Sequence, residues 1–260
     1  MPPPLDDLAI VAVGEPSLSR SHALYGLLRR EQAIATAEPS SPRSEVSRAL
    51  DFAQAAFGDL VGILVGREDS LLDSGRDGDW TLRDVLRHAI AVEIRYAAQV
   101  HYSATRIEGD PVKIPPSLLP CDRLSPPEPE FARARYGGIR ELLELLAAAR
   151  AASDERLAHV SDSSLGRPSF WGEQLLDVRM RLHQIAVHLT ETSIQIEKIV
   201  GGSGDLRAIV RHCCRTRGLH ERWSPAEERA LLDGSYRALS SQSRPVPEEG
   251  LEPSYGLRPA

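Results

Sequence analysis

The chain has 260 residues, with 31 basic and 37 acidic side chains and a formal net charge of -6. That length suffices for one large domain or one domain with appendages, and the charge gives no broad cationic field for nucleic acid or an anionic membrane. Three cysteines, Cys121, Cys213 and Cys214, are too few and too oddly numbered for a disulfide framework, which points to a reducing cytoplasm.

At the N-terminus, residues 1–7 carry acids where a signal peptide carries bases, and the apolar run from Leu8 to Val13 is too short to span a membrane. Residues 1–43 read as a loosely structured arm, since proline clusters at both ends enclose one weak helical pattern, Leu24, Leu27, Leu28 and Ile34. The stretch Glu38-Pro39-Ser40-Ser41-Pro42 reads as a linker. Firm periodicity begins at about residue 44. Val46, Leu50, Ala53, Phe57, Leu60, Val61 and Leu64 predict a helix over about 44–65 with one apolar face.

A glycine- and aspartate-rich turn over 74–79 leads to Trp80-Thr81-Leu82-Arg83-Asp84, where Thr81 has the character of an N-cap and Asp84 lies three residues on. The second helix follows, its buried stripe marked by Leu82, Val85, Leu86, Ala89, Glu93, Tyr96 and Val100, with His88 at the edge of the stripe and Trp80 over the first turn. Six prolines between Ile107 and Glu128 exclude a helix interior or a central strand, so this segment is a long crossover. A third helix is expected over about 129–159, weakened near its start by Gly137-Gly138. A fourth is expected over 173–200, with Leu175, Leu182, Ile185, Leu189, Ile196 and Ile199 on one stripe and Gly201-Gly202 at its end.

Residues 203–240 carry two further helical patterns. Leu206, Ile209, Val210 and Cys213 mark the first; Ser224-Pro225-Ala226-Glu227 opens the second, which continues through Leu231, Leu232, Tyr236 and Leu239. Their apolar faces need cover from the bundle or from a second subunit, which leaves a homodimer open. Residues 241–260 are polar and proline-bearing and read as a disordered tail.

The chemistry-bearing residues concentrate on the second and fourth helices. His188, Thr192 and Gln195 are spaced by four and three and share an inward arc, and His88 lies near the inward face of the second helix. Metal sites in helical bundles are built from side chains on facing helices, yet a lone histidine on an amphipathic helix is more often a hydrogen-bonded structural residue. Glu191 and Glu93 are the nearby carboxylates, with a solvated charge as the plain reading of Glu191. His183 lies five residues before His188, about 140° around the helix, and points elsewhere. In His212-Cys213-Cys214 a buried thiol is the simplest reading, and Arg211, Arg215, Arg217 and Arg222 read as a solvated basic face.

The segment Trp80 to His88, the proline-rich crossover and the run His188-Leu189-Thr190-Glu191-Thr192-Ser193-Ile194-Gln195 together resemble the DinB-like superfamily of four-helix bundles. That superfamily includes the metal-binding domain of mycothiol-dependent maleylpyruvate isomerase. The resemblance spans about residues 44–200 and implies an all-α four-helix bundle, here taken as the domain 44–202, with a long crossover between its second and third helices, followed by two C-terminal helices. It also implies a divalent metal such as zinc, nickel or iron, a low-molecular-weight thiol, and a histidine triad. Its first two members map on His88 and His188; the third falls on Thr192, and Gln195 takes the place of the glutamine that follows the pair. Glu191 or Glu93 is then the candidate substitute for the missing imidazole, giving a two-histidine, one-carboxylate set. Two readings follow: a metal-dependent thiol transferase, isomerase or hydrolase acting on a small molecule with an incomplete triad, or a metal-free bundle that binds a small ligand or a protein partner in the same cleft.

Overall fold

The computed structural model describes residues 5–15, 17–37, 42–74, 80–201 and 205–243. Residues 38–41 of the expected linker, the turn at 75–79, Gly202 to Gly204 and the tail from 244 onward lie outside the described residues. Among the described residues no helix is long and apolar enough to cross a membrane.

Helices α1 (Leu5–Val13), α2 (Leu18–Thr36), α3 (Glu45–Leu64), α4 (Leu82–Thr105), α5 (Glu130–Tyr136), α6 (Ile139–Leu157), α7 (Val178–Val200), α8 (Asp205–His220) and α9 (Ala226–Ser243) make up most of the fold. A small antiparallel hairpin, β1 (Pro168–Trp171) and β2 (Gln174–Asp177), completes it. The four-helix bundle is a ring in which α3 packs on α6 and α7, and α4 packs on the same two helices from the other side. Leu60, Leu64, Leu86, Val100, Leu142, Leu146, Ile185 and Leu189 fill its centre, each almost wholly buried.

Local chemistry sets the helix ends. Ser44 accepts the Ser47 amide at 3.0 Å, while Asp162 from a distant loop accepts the amides of Glu45 and Val46 at 2.9 and 3.1 Å, so the start of α3 is capped twice. At α4, Thr81 and Asp84 form a reciprocal capping box. The expected third helix is divided into α5 and α6 at Gly137-Gly138. Both glycines are extended, and a β-carbon on Gly138 would stand 2.4 Å from the Asp69 carboxylate. Asp69 needs that space, because its Oδ1 accepts the Ile139 amide at 2.7 Å and caps α6.

The fourth helix begins five residues later than the expected start at 173, at Val178. Residues 174–177 pair with 168–171, the chain turns at Gly172 with φ of +59°, and Asp177 caps α7 by accepting the Met180 amide at 2.8 Å. Leu175 is therefore an exposed strand residue and not a core residue of the helix. Gly201, with φ of +72°, ends α7.

The N-terminal segment differs most from expectation. It forms α1 and α2, which pack on α8 and α9 as a second layer, burying Leu8, Val11, Leu24 and Leu27. This layer joins the bundle through α3, whose far side meets α8 at very short range. Alanine-sized β-carbons at Gly58 and Gly62 would fall 2.4 Å from the Cys214 carbonyl oxygen and the Arg211 Cα, and one at Gly218 would fall 2.5 Å from the Gln54 carbonyl oxygen. Arg211, Arg217 and Arg222 are not a solvated face: they pair with Asp59 and Glu197, with Glu31 and Asp233, and with Asp51 and Asp154. The docked arm supplies Glu31, fully buried, which also meets His220 and the Tyr236 hydroxyl. Cys213 and Cys214 are buried thiols within this layer, and burial pushes the Cys213 thiol up to about 12.

Candidate functional site

Helices α4 and α7 face one another across a cleft of about 660 Å³. The capping box fixes the start of α4, and His88 follows within its second turn, half-buried. Its Nδ1 lies 2.5 Å from the carbonyl oxygen of Arg123 in the crossover. A carbonyl only accepts, so Nδ1 carries the proton and Nε2 presents a lone pair. From α7, His188 brings its own Nε2 to 3.2 Å from that nitrogen, the rings meeting edge to face with centroids 5.0 Å apart.

Aromatic rings surround this pair. Trp80 packs edge-on against His88 at 4.8 Å, and Tyr96 against His188 at 5.7 Å. The environment favours neutral imidazole. Burial, with a smaller contribution from His88, pushes His188 down to about 4, and burial also lowers His88. Neutral imidazole is the form that binds a metal.

The nitrogen separation allows two states. Without a cation, His188 donates an Nε2 proton to His88. With one, both Nε2 atoms would be its ligands: zinc–nitrogen bonds of about 2.0–2.1 Å at a tetrahedral angle would leave two nitrogens about 3.3 Å apart. The observed 3.2 Å fits that edge, and the bond from Nδ1 to the Arg123 carbonyl is the kind of outer contact that holds a ligating histidine in orientation.

The remaining expected residues divide. Thr192 is buried at the cleft wall, and its hydroxyl donates to the His188 carbonyl at 2.8 Å. Glu191 and Gln195 also line the cleft, both exposed. Glu93 does not belong to the site. It turns toward α6, where its Oε1 accepts from Arg150 Nη1 at 2.6 Å, both side chains 1% exposed, because a buried guanidinium requires a carboxylate partner. His183 stacks near Phe52 of α3, away from the cleft. Among the described residues no group of three or more histidine, cysteine, aspartate or glutamate side chains is placed to hold a metal ion. The nitrogen pair thus fits a cation, while among the described residues no carboxylate, thiol or further imidazole is placed with it as a third ligand.

Several cleft residues had no functional signal in the sequence. Arg95, Tyr96 and Gln99 share the His88 face of α4, at offsets of 7, 8 and 11 residues, so a second stripe could have been read beside the apolar one. Trp171 and Arg123 come from the hairpin and the crossover, where no periodicity exists to read. Trp171 donates its indole N–H to the Tyr96 hydroxyl at 3.0 Å and walls the cleft from above.

Residues 33–191 match the family described as the DinB superfamily. Among solved structures, a similar one is that of YfiT from Bacillus subtilis, described as a probable metal-dependent hydrolase with an unusual four-helix bundle topology. It shares 16% identity and covers 72% of this chain and 95% of its own, with a TM-score of 0.43. No curated protein matches the chain.

Proposed function

Since the chain belongs to the DinB superfamily, we propose that the cleft between α4 and α7 holds a divalent metal ion on His88 and His188 and serves a thiol-dependent transfer, an isomerisation or a hydrolysis of a small molecule. The observation that carries this reading is the convergence of the two Nε2 atoms at 3.2 Å with His88 already oriented through Nδ1. Imidazole suits zinc, nickel and iron alike, so the donor set does not choose among them. When bound, such an ion supplies positive charge that polarises a carbonyl or eases deprotonation of a thiol or water. The protein's own part is to keep both imidazoles neutral by burial, to aim them, and to wall the reaction with Trp80, Tyr96 and Trp171. With only two imidazoles, affinity would be lower than in three-ligand sites, and positions on the ion would stay open to a non-protein ligand.

Metal analysis of full-length, tag-free protein after loading with zinc, nickel or iron tests this. About one ion per chain, lost in His88→Ala, is expected; no uptake by the wild type refutes the metal reading. A second reading is favoured by Thr192, whose hydroxyl turns back to its own helix. In it the histidine pair is a hydrogen-bonded dyad, and the cleft binds a small ligand or partner without an ion.

A further inference from the structure

Among the described residues three arginines, Arg150, Arg181 and Arg217, are the largest fully buried side chains. Two are neutralised: Arg150 by Glu93 and Asp154, Arg217 by Glu31 and Asp233. Arg181 has no carboxylate among the described residues. Its Nη2 donates to Gln99 Oε1, its guanidinium lies over the Tyr96 ring at 4.6 Å and is also stabilised by the Tyr96 side chain, and among the described residues Nε and Nη1 make no hydrogen bond. A buried cation left in this way costs several kcal/mol in general, unless an anion sits close by for part of the working cycle.

The adjoining cleft is built to receive one. Because Gln99 spends its oxygen on Arg181, its amide N–H groups remain for the cleft that it lines. Because the Tyr96 oxygen accepts from Trp171, its own proton remains to donate. Arg95 and Arg123 line the same space without an ion pair among the described residues, Arg95 donating only to the Cys121 carbonyl. Against these stands a single cleft carboxylate, that of the exposed Glu191.

We infer that the cleft takes a small organic oxyanion, with its charged head on Arg95, Arg123, Tyr96 and Gln99, backed by Arg181, and its planar or apolar body between Trp80 and Trp171. Carboxylate and phosphate heads share this chemistry, and the volume of about 660 Å³ suits a small ligand. The inference rests on the cleft's being the working site proposed above. Arg181 is here a positioning residue, acting through Tyr96 and Gln99.

The test is titration of the full chain with benzoate, phenyl phosphate and neutral benzamide, by calorimetry and by tryptophan fluorescence, in chelator and again with zinc. In chelator, benzoate or phenyl phosphate should bind at least about tenfold tighter than benzamide, roughly 1.4 kcal/mol, and the tighter of the two identifies the head group. Arg95→Gln and Arg123→Gln, both at accessible positions, should each remove most of that preference, whereas Arg156→Gln on the outer face of α6 should leave it intact. Equal affinity for anion and amide, or a preference that survives both cleft substitutions, overturns the inference. If zinc binds the wild type but the anion preference is absent, only this inference falls. If the preference holds in chelator and no zinc binds, the metal reading falls and the oxyanion site stands.

Discussion

Position 192 is where an added ligand tests the geometry most directly. Thr192 lies one turn beyond His188 on α7, is 2% exposed, and borders the cleft that holds both imidazoles. Side chains four apart share a helix face, so the ring in Thr192→His extends into the cleft beside His188. The threonine hydroxyl bonds only within its helix, to the His188 carbonyl, so its removal orphans no distant donor. A third imidazole should tighten zinc binding by well over tenfold, more than about 1.4 kcal/mol. At a free zinc concentration of about one hundred times the dissociation constant, binding stabilises the fold by about 2.7 kcal/mol. For a chain of this size that is a rise in melting temperature of roughly 5 to 10 °C. Zinc titration of wild type and variant, with thermal melts at each concentration, reads both quantities. If the larger ring instead crowds the wall, the melting temperature falls by the equivalent of about 1 to 3 kcal/mol and zinc does not restore it. That result would show that the two helices do not present a coordination edge, and the 3.2 Å contact would then be a hydrogen bond alone.

Three further outcomes are expected. Gly58→Ala places a methyl group 2.4 Å from the Cys214 carbonyl oxygen, so α3 and α8 must separate at a cost of about 1 to 3 kcal/mol, and an unchanged denaturation midpoint contradicts the close crossing. Glu31→Ala removes the carboxylate shared by Arg217, His220 and Tyr236 and should cost about 3 to 5 kcal/mol; a loss below about 1 kcal/mol would show that α2 is not anchored there. The folded protein holds His188 at about 4 against an ordinary 6.5, so the unfolded chain binds the extra proton first. The contribution is complete above 6.5 and is lost as pH falls toward 4, on the order of 3 kcal/mol in all. In chelator, His188→Gln should flatten that part of the stability profile, and a slope equal to wild type would refute it.

The bundle was legible because its core positions are apolar and its caps are local. Val46 through Leu64 keep a helical period, and both Ser44 and Thr81 announce the helices that they cap. The docking of the N-terminal arm on the C-terminal helices was illegible for the opposite reason. On α2 the buried positions are Leu24, Leu27 and Glu31, and the third of them is a carboxylate. A stripe whose core residue is charged looks broken in a hydrophobic pattern, and the apolar stripe of α8 from Leu206 to Cys213 likewise gives no hint that Arg217 and His220 beyond it are buried. Each makes sense only against the other, since Glu31 satisfies both. Gly58 and Gly62 gave no signal in the apolar pattern of α3, yet they are what allows α8 to approach.

In the cleft, residue type carried part of the information and direction the rest. His88 and His188 could be paired because both lie near inward faces, and the structure brings them together. Glu93 was misplaced because burial on a helix does not say which neighbour a side chain meets; the answer lay in Arg150, whose burial on α6 demanded a carboxylate. The reverse logic singles out Arg181. Where a buried charge has its counter-charge in the chain, it explains a packing contact; where it has none, it leaves an electrostatic demand that a ligand can meet. Arg150 and Arg217 are of the first kind and Arg181 is of the second, so the same rule that removes Glu93 from the site is what gives the site its preference for an anion.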